Sequence, residues 1–298
     1  MKAFYCLWPN FKYIDKLVDA GIDTILLCAH SLPFDRGNVN PYYDSKSTII
    51  SVIKRYQSSV DLLLSPTWIR PWVKLPIDQR WVLRDGRKMQ FQPCPSNELY
   101  MDERIGDSIR FASKYKMKGI IWDLEHYGHN RGIVIPYYMN FNKPKDRCYC
   151  HRCKSQKIKN IWDDHAHNIN LRLVRFGSHL RAHGSYPYTG GWTIRQYPDT
   201  HLHFTEETYK KDISFWEEFK WKCNHKKYKT SPTIIPGAWA EYFSEEGYIN
   251  YLKKLKKKYG HFWIYSHEKF GNKIPDPHID YPYPELASDK FFEMLKKV

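Results

Sequence analysis

No apolar run in this sequence approaches the ~18 residues that a membrane-spanning helix requires, and no short repeat, low-complexity tract or linker-like stretch divides it. Cysteine is sparse and odd in number, seven in 298 residues. Two of the seven, Cys6 and Cys28, fall inside strand-like apolar runs. That usage fits a reducing compartment rather than a disulfide framework. The opening MKAFYCLWPN enters a strand-like segment at once and leaves no room for the apolar core and cleavage site of a signal peptide. A cytoplasmic protein is expected. Acidic residues are outnumbered, 32 against 47 basic, for a formal charge of +15. A basic surplus favours acidic partners, yet no recognised nucleic-acid motif accompanies it. The densest run, KKLKKKYG at 253–260, has the spacing of a solvated helix face, so nucleic acid is not the expected partner.

What the chain has in quantity is aromatic side chains: 11 Trp, 23 Tyr and 15 Phe within a hydrophobic content of 42%. This composition belongs to an ordered globular protein, and the surplus of Trp and Tyr suits a site that stacks flat ligands such as sugars. Short apolar or β-branched runs alternate with longer amphipathic segments, the pattern of parallel strands joined by crossover helices. Eight strands are expected, at 2–9, 24–31, 61–68, 119–127, 185–192, 201–209, 232–243 and 261–270. Helices are expected after the first strand up to Gly21, near 46–58, near 101–115, from about 155 to 182, and over the closing ASDKFFEMLKKV. A connection rich in Trp, Arg and Pro follows the third strand. Together these predict a single (β/α)8 TIM barrel spanning 1–298, with a cysteine-rich loop near 140–155.

In such a barrel the chemistry sits where the strands end. The polar residues collect there: His30 after the second strand, Trp68 and Arg70 after the third, Asp123 and Glu125 after the fourth. Glu206 or Glu207 lies near the sixth, Glu241 after the seventh, and Tyr265, His267 and Glu268 after the eighth. Alternation along a strand puts Asp123 and Glu125 on one face and Leu124 on the other. Paired carboxylates in an aromatic-lined mouth suit glycoside hydrolysis, in which one acid protonates the leaving oxygen and a second carboxylate acts as nucleophile, base or orienting group. Glu125 is the expected proton donor, its pKa raised by burial and by the like charge of Asp123. Trp239, Trp263, Tyr186, Tyr188 and Tyr265 are the expected stacking residues, with Trp68, Arg70 and His267 completing the substrate site.

The run WDLEHYG resembles the fourth-strand segment of clan A glycoside hydrolases, in which the acid/base glutamate ends the strand. Glu241 in GAWAEYF lies where that clan keeps its nucleophile, so the resemblance implies a retaining Glu125–Glu241 pair. The clan has Asn immediately before the acid/base, whereas this chain has Leu124. The same run is also similar to the D-x-E ending of family 18 chitinases. There the Asp orients a substrate N-acetyl group that replaces the enzyme nucleophile, and Trp263 would match the Trp that floors the sugar site. The additional upstream Asp of that motif is absent, because Ile120 and Ile121 precede Trp122.

Cys148, Cys150 and Cys153 form a C-x-C-x-x-C cluster, three thiols within six residues, poised to hold Zn2+ once a fourth ligand joins them. The cluster resembles the zinc site of family 42 β-galactosidases, where the fourth cysteine comes from a Cys-Pro segment ahead of the strand. Here that segment is CPSNELY, which implies Cys94. Four thiolates would close the site and make the zinc structural. His151 is an alternative ligand. Two other classes of function stand beside the hydrolase. One is a noncatalytic glycan-binding barrel; the other is a metal-dependent hydrolase using His30, His126, His267 and Asp123, which lacks the paired first-strand histidines of such barrels.

Overall fold

The computed structural model of the protein describes residues 1–6, 8–29, 46–66, 75–94, 96–123, 148–155, 181–186, 202–205, 233–238, 243–265, 271–274, 283–286 and 289–298. Eight strands form a closed parallel barrel: β1 (Lys2–Cys6), β2 (Thr24–Ala29), β3 (Asp61–Pro66), β6 (Gly119–Asp123), β7 (Arg181–Tyr186), β8 (Leu202–Thr205), β9 (Thr233–Ala238) and β10 (Phe262–Tyr265). They neighbour one another in chain order. The ring closes where β10 pairs with β1, in the register Ala3↔Trp263 and Tyr5↔Tyr265.

Among them β1, β2, β3 and β10 read as nearly continuous apolar runs because both of their faces are buried. Phe4, Cys6, Ile25, Leu27, Leu62, Leu64, Ile120, Phe262 and Ile264 pack with helix residues such as Ile14, Leu17, Ile53, Ile109, Leu252 and Phe291. The residues of opposite parity, Ala3, Tyr5, Leu26, Cys28, Leu63, Ile121, Ile235 and Trp263, form a separate cluster. Strand alternation identifies that cluster as the filling of the barrel interior.

The described helices are α1 (Ile14–Asp19), α2 (Lys46–Tyr56), α3 (Glu98–Met101), α4 (Asp107–Lys114), α5 (His151–Ser155), α6 (Glu245–Tyr259) and α7 (Asp289–Lys296). A 3-10 turn, Trp8–Tyr13, precedes α1, and a π-helical turn, Asp102–Gly106, joins α3 to α4. The sequence specifies α6 at both ends. The Ser244 hydroxyl accepts from the Gly247 N–H at 3.2 Å, Glu245 and Glu246 occupy the positive first turn, and lysines occupy the last. Gly260 then terminates it at φ 74°, in the left-handed region that glycine enters without a Cβ penalty. The lysines of KKLKKKYG are exposed while Tyr248, Tyr251, Leu252 and Leu255 are buried, as the spacing of that run predicts. Among the described residues no helix is long and apolar enough to cross a membrane.

Two antiparallel ribbons depart from the expected pattern. The connection after β3 contains β4 (Arg80–Val82) paired with β5 (Lys88–Pro93), and the segment after β10 contains β11 (Gly271–Ile274) paired with β12 (Tyr283–Leu286). The fifth barrel strand is also a correction. It begins at Arg181, four residues before the expected 185, so the helix expected to reach 182 cannot do so. Residues 156–180 of that helix lie outside the described residues.

Candidate metal centre and barrel mouth

The best-defined constellation lies beside the barrel, where the β4–β5 ribbon meets the segment that leads into α5. Cys94 directly follows β5. Its backbone is fixed by a hydrogen bond from its own N–H to the Gln79 carbonyl at 2.7 Å and by one from the Asn97 N–H to its carbonyl at 3.0 Å. Cys148 and Cys150 precede α5, and Cys153 lies within it. The four Sγ atoms fall within 4.8 Å of one another, and Cys94 approaches Cys153 at 3.4 Å and Cys150 at 3.6 Å. Four sulfurs about 2.3 Å from a central ion define a tetrahedron with edges of about 3.8 Å. The group is therefore nearly of the size that a tetrahedral metal needs.

The surroundings also fit metal-bound thiolates, which require donors. The Val82 N–H donates to Cys148 Sγ at 3.3 Å, and the Cys153 N–H donates to Cys150 Sγ at 3.4 Å. The Ser96 hydroxyl lies 3.3 Å from Cys153 Sγ. Two further bonds join the segments: Tyr149 N–H to the Val82 carbonyl at 2.8 Å, and Arg152 Nη1 to the Ser96 carbonyl at 2.6 Å. Hydrogen bonds from Cys153 and Cys94 lower the Cys148 thiol to about 5, against the opposing effect of burial. Its partners move the other way: the bond to Cys148 raises Cys94 far above the ordinary thiol value, with Cys153 and burial adding to the effect. Cys153 is raised by the same bond to Cys148. All four implied ligands come together, and these residues could hold a metal ion. His151, the alternative ligand, is exposed.

At the barrel's C-terminal end the backbone places three of the expected site residues. Asp123 is the last residue of β6, in register with Ser185; Tyr186 ends β7, in register with Thr205; Tyr265 ends β10, in register with Tyr5. Glu125, Glu241, Trp68, Arg70, Tyr188, Trp239 and His267 lie outside the described residues, as do His30, His126, Glu206, Glu207 and Glu268. Trp263 belongs to the interior cluster, is 1% exposed, and makes an edge contact with Tyr5 at 6.2 Å between ring centroids. This is the packing of a core ring. Just within the mouth, the Tyr5 hydroxyl contacts Cys28 Sγ and Ser65 Oγ, both at 3.3 Å, which gives buried polar groups a partner.

Sequence reasoning missed Val82 and Ser96 as neighbours of the thiols. The available signal was the Asp85-Gly86 pair, a hairpin-turn dipeptide. Gly86 has φ 86°, and the turn folds β4 back onto β5.

No protein-family model matches the chain, and no curated protein does. Solved structures do resemble it. The catalytic domain of a family GH18 chitinase from the fern Peteris ryukyuensis superposes with a TM-score of 0.55 at 11% identity, covering 99% of this chain and 97% of that one. The GH18 chitinase ChiB of Flavobacterium johnsoniae gives 0.51 at 10%, covering 99% and 92%. An α-amylase from Malbranchea cinnamomea gives 0.57 at 9%, covering 99% and 75%. At such identities the shared property is the fold: this chain is an α/β barrel of the kind these glycoside hydrolases use.

Proposed function

We propose that this chain is a glycoside hydrolase that cleaves an O-glycosidic bond at the C-terminal mouth of one barrel domain spanning 1–298, with Glu125 as the general acid. The observation that carries the reading is the position of Asp123. The first acid of WDLEHYG ends the fourth barrel strand, at the end of the fold where barrel enzymes keep their chemistry. The chitinases and the α-amylase of similar fold support carbohydrate as the substrate class. Trp68, Arg70, Tyr186, Tyr188, Trp239, Tyr265 and His267 are the proposed sugar-binding residues.

The leading mechanism is retaining. Glu125 protonates the leaving oxygen while the Glu241 carboxylate attacks the anomeric carbon. Glu125 then removes a proton from the water that releases the sugar, a role that requires the two carboxyls to stand ≈ 5–5.5 Å apart. A second reading is supported by the two family 18 chitinases among the similar folds together with the Asp123-Leu124-Glu125 spacing. In it Asp123 orients the N-acetyl group of the substrate, whose oxygen attacks in place of Glu241. The four cysteines hold a structural Zn2+, whose chemistry when bound is confined to fixing the two segments, because four thiolates leave no open coordination position.

Turnover of a panel of aryl glycosides, including 2-acetamido sugars, tests both readings. Glu125→Gln should retain ligand binding and lower kcat by about 10²-fold or more, the usual size of a general acid–base contribution. Glu241→Gln should be as damaging under the retaining mechanism. It should matter little under the substrate-assisted one, in which only 2-acetamido sugars react. Full activity in Glu125→Gln overturns the proposal, and binding without turnover on any sugar would make the barrel a glycan-binding one.

A further inference from the structure

We infer that the cysteine cluster is a peroxide-responsive clamp in which oxidation exchanges the bound metal for a disulfide between Cys94 and Cys150. The inference rests on the metal reading above. Three of the four thiols are sealed from solvent, with Cys94 2%, Cys148 1% and Cys153 0% exposed, whereas Cys150 is only partly buried. A two-electron oxidant of the hydrogen peroxide class therefore meets Cys150 first, and susceptibility to such oxidants follows thiolate character and exposure.

The Cys150 thiolate attacks one peroxide oxygen and the O–O bond breaks. The departing oxygen takes up a proton and leaves as water, which makes Cys150 a sulfenic acid. Cys94 Sγ stands 3.6 Å away, so its thiolate is placed to attack the sulfenic sulfur. The S–S bond forms, the S–O bond breaks, and hydroxide leaves as a second water after taking up a second proton. In sum, two thiolates give up two electrons, and one peroxide with two protons becomes two waters. Only Cys148 and Cys153, half of the ligand set, would then be left to hold the ion, and it would be released.

The choice of partner follows from geometry. Cys153 lies on the sealed side, its Sγ in contact with Cys94 Sγ at 3.4 Å and Ser96 Oγ at 3.3 Å. Its backbone N–H donates to Cys150 Sγ at 3.4 Å, whereas the sulfur in contact with Cys150 Sγ, at 3.6 Å, is that of Cys94. The choice has a mechanical meaning. Cys94 and Cys150 are 56 positions apart and belong to different segments, so their disulfide keeps the β4–β5 ribbon tied to the α5 segment after the metal departs. A Cys150–Cys153 disulfide would close a small local loop and release the ribbon.

The test uses the full-length reduced protein. Its zinc content is measured first, peroxide is then titrated while a colorimetric chelator reads the released ion, and non-reduced peptides are mapped by mass spectrometry. The expected result is stoichiometric metal release accompanied by a Cys94–Cys150 cross-linked peptide, reversed by dithiothreitol and added zinc. Cys150→Ser should slow peroxide-driven release by about tenfold or more. Should that variant fail to take up zinc, peptide mapping of the peroxide-treated wild type decides alone. Release with a Cys150–Cys153 or Cys94–Cys153 cross-link, release with sulfinic acid and no cross-link, or retention of the metal under peroxide would each overturn the inference while leaving the metal reading intact. Protein that neither contains nor takes up zinc would instead overturn the metal reading itself.

Discussion

On the proposal that the four-cysteine cluster holds a metal, stripping that metal should soften one side of the molecule and leave the barrel standing. At a free ion concentration 1,000 times its dissociation constant, a bound ion stabilises the folded state by about 4 kcal/mol. An unfolding entropy of about 2.1 cal/mol/K per residue gives roughly 0.6 kcal/mol/K for 298 residues. Chelation should therefore lower the melting temperature by about 7 °C. Besides apolar packing, two hydrogen bonds between the segments survive removal: Tyr149 N–H to the Val82 carbonyl and the Arg152 guanidinium to the Ser96 carbonyl. At about 1 kcal/mol each, they hold the ribbon less firmly than the ion does. Differential scanning fluorimetry with and without chelator reads the global shift. Limited proteolysis reads the local one, with new cleavages expected in 75–97 and 148–155 before any in the barrel strands. An unchanged melting temperature and digestion pattern in protein shown to have lost its metal would refute the structural role.

Trp263→Ala should cost about 3–5 kcal/mol in chemical denaturation, because the ring fills the barrel interior and its removal leaves a cavity; a loss under about 1 kcal/mol would show that the ring is not core. Gly260→Ala should cost about 1–2 kcal/mol, since alanine must then adopt the left-handed conformation that ends α6, and an unchanged midpoint would mean that the helix ends differently.

How far the fold could be read from the sequence depended on whether a strand is buried on both faces by its own side chains. TILLCA, DLLLSP and GIIWD are each built round an apolar run, and β2, β3 and β6 lie where those runs predict. The fifth strand, RAHGSY, carries Arg, His and Gly and owes its conformation to its neighbours β6 and β8. No local pattern marks Arg181 as its start, and the apolar signal drew the expectation toward the aromatics beyond it. The β4–β5 ribbon was hidden for another reason. The Trp, Arg and Pro around it read as loop, although Asp85-Gly86 is a turn signal in its own right. At the metal cluster, local spacing identified Cys148, Cys150 and Cys153. Cys94 lies more than fifty positions away and came from resemblance, because sequence distance says nothing about which loops a barrel brings side by side. The same reasoning explains Trp263: its place near the end of a strand was legible, but whether its ring faces a ligand or the packed interior depends on Tyr5 across the β1–β10 pairing.

That pairing also sets the order of events in the life of the chain. β1 ends at Cys6 and its partner β10 begins at Phe262, so at about 5–20 residues per second of synthesis the first strand waits on the order of ten to fifty seconds for the last. Through that interval one side of β1 has no strand to bond, and each newly made strand in turn presents an open edge to other chains. Contacts of such long sequence separation form late. A nascent barrel of this kind is therefore most exposed to misassociation just before its eighth strand emerges, and ribosome-bound fragments ending short of residue 262 should aggregate far more readily than the finished protein.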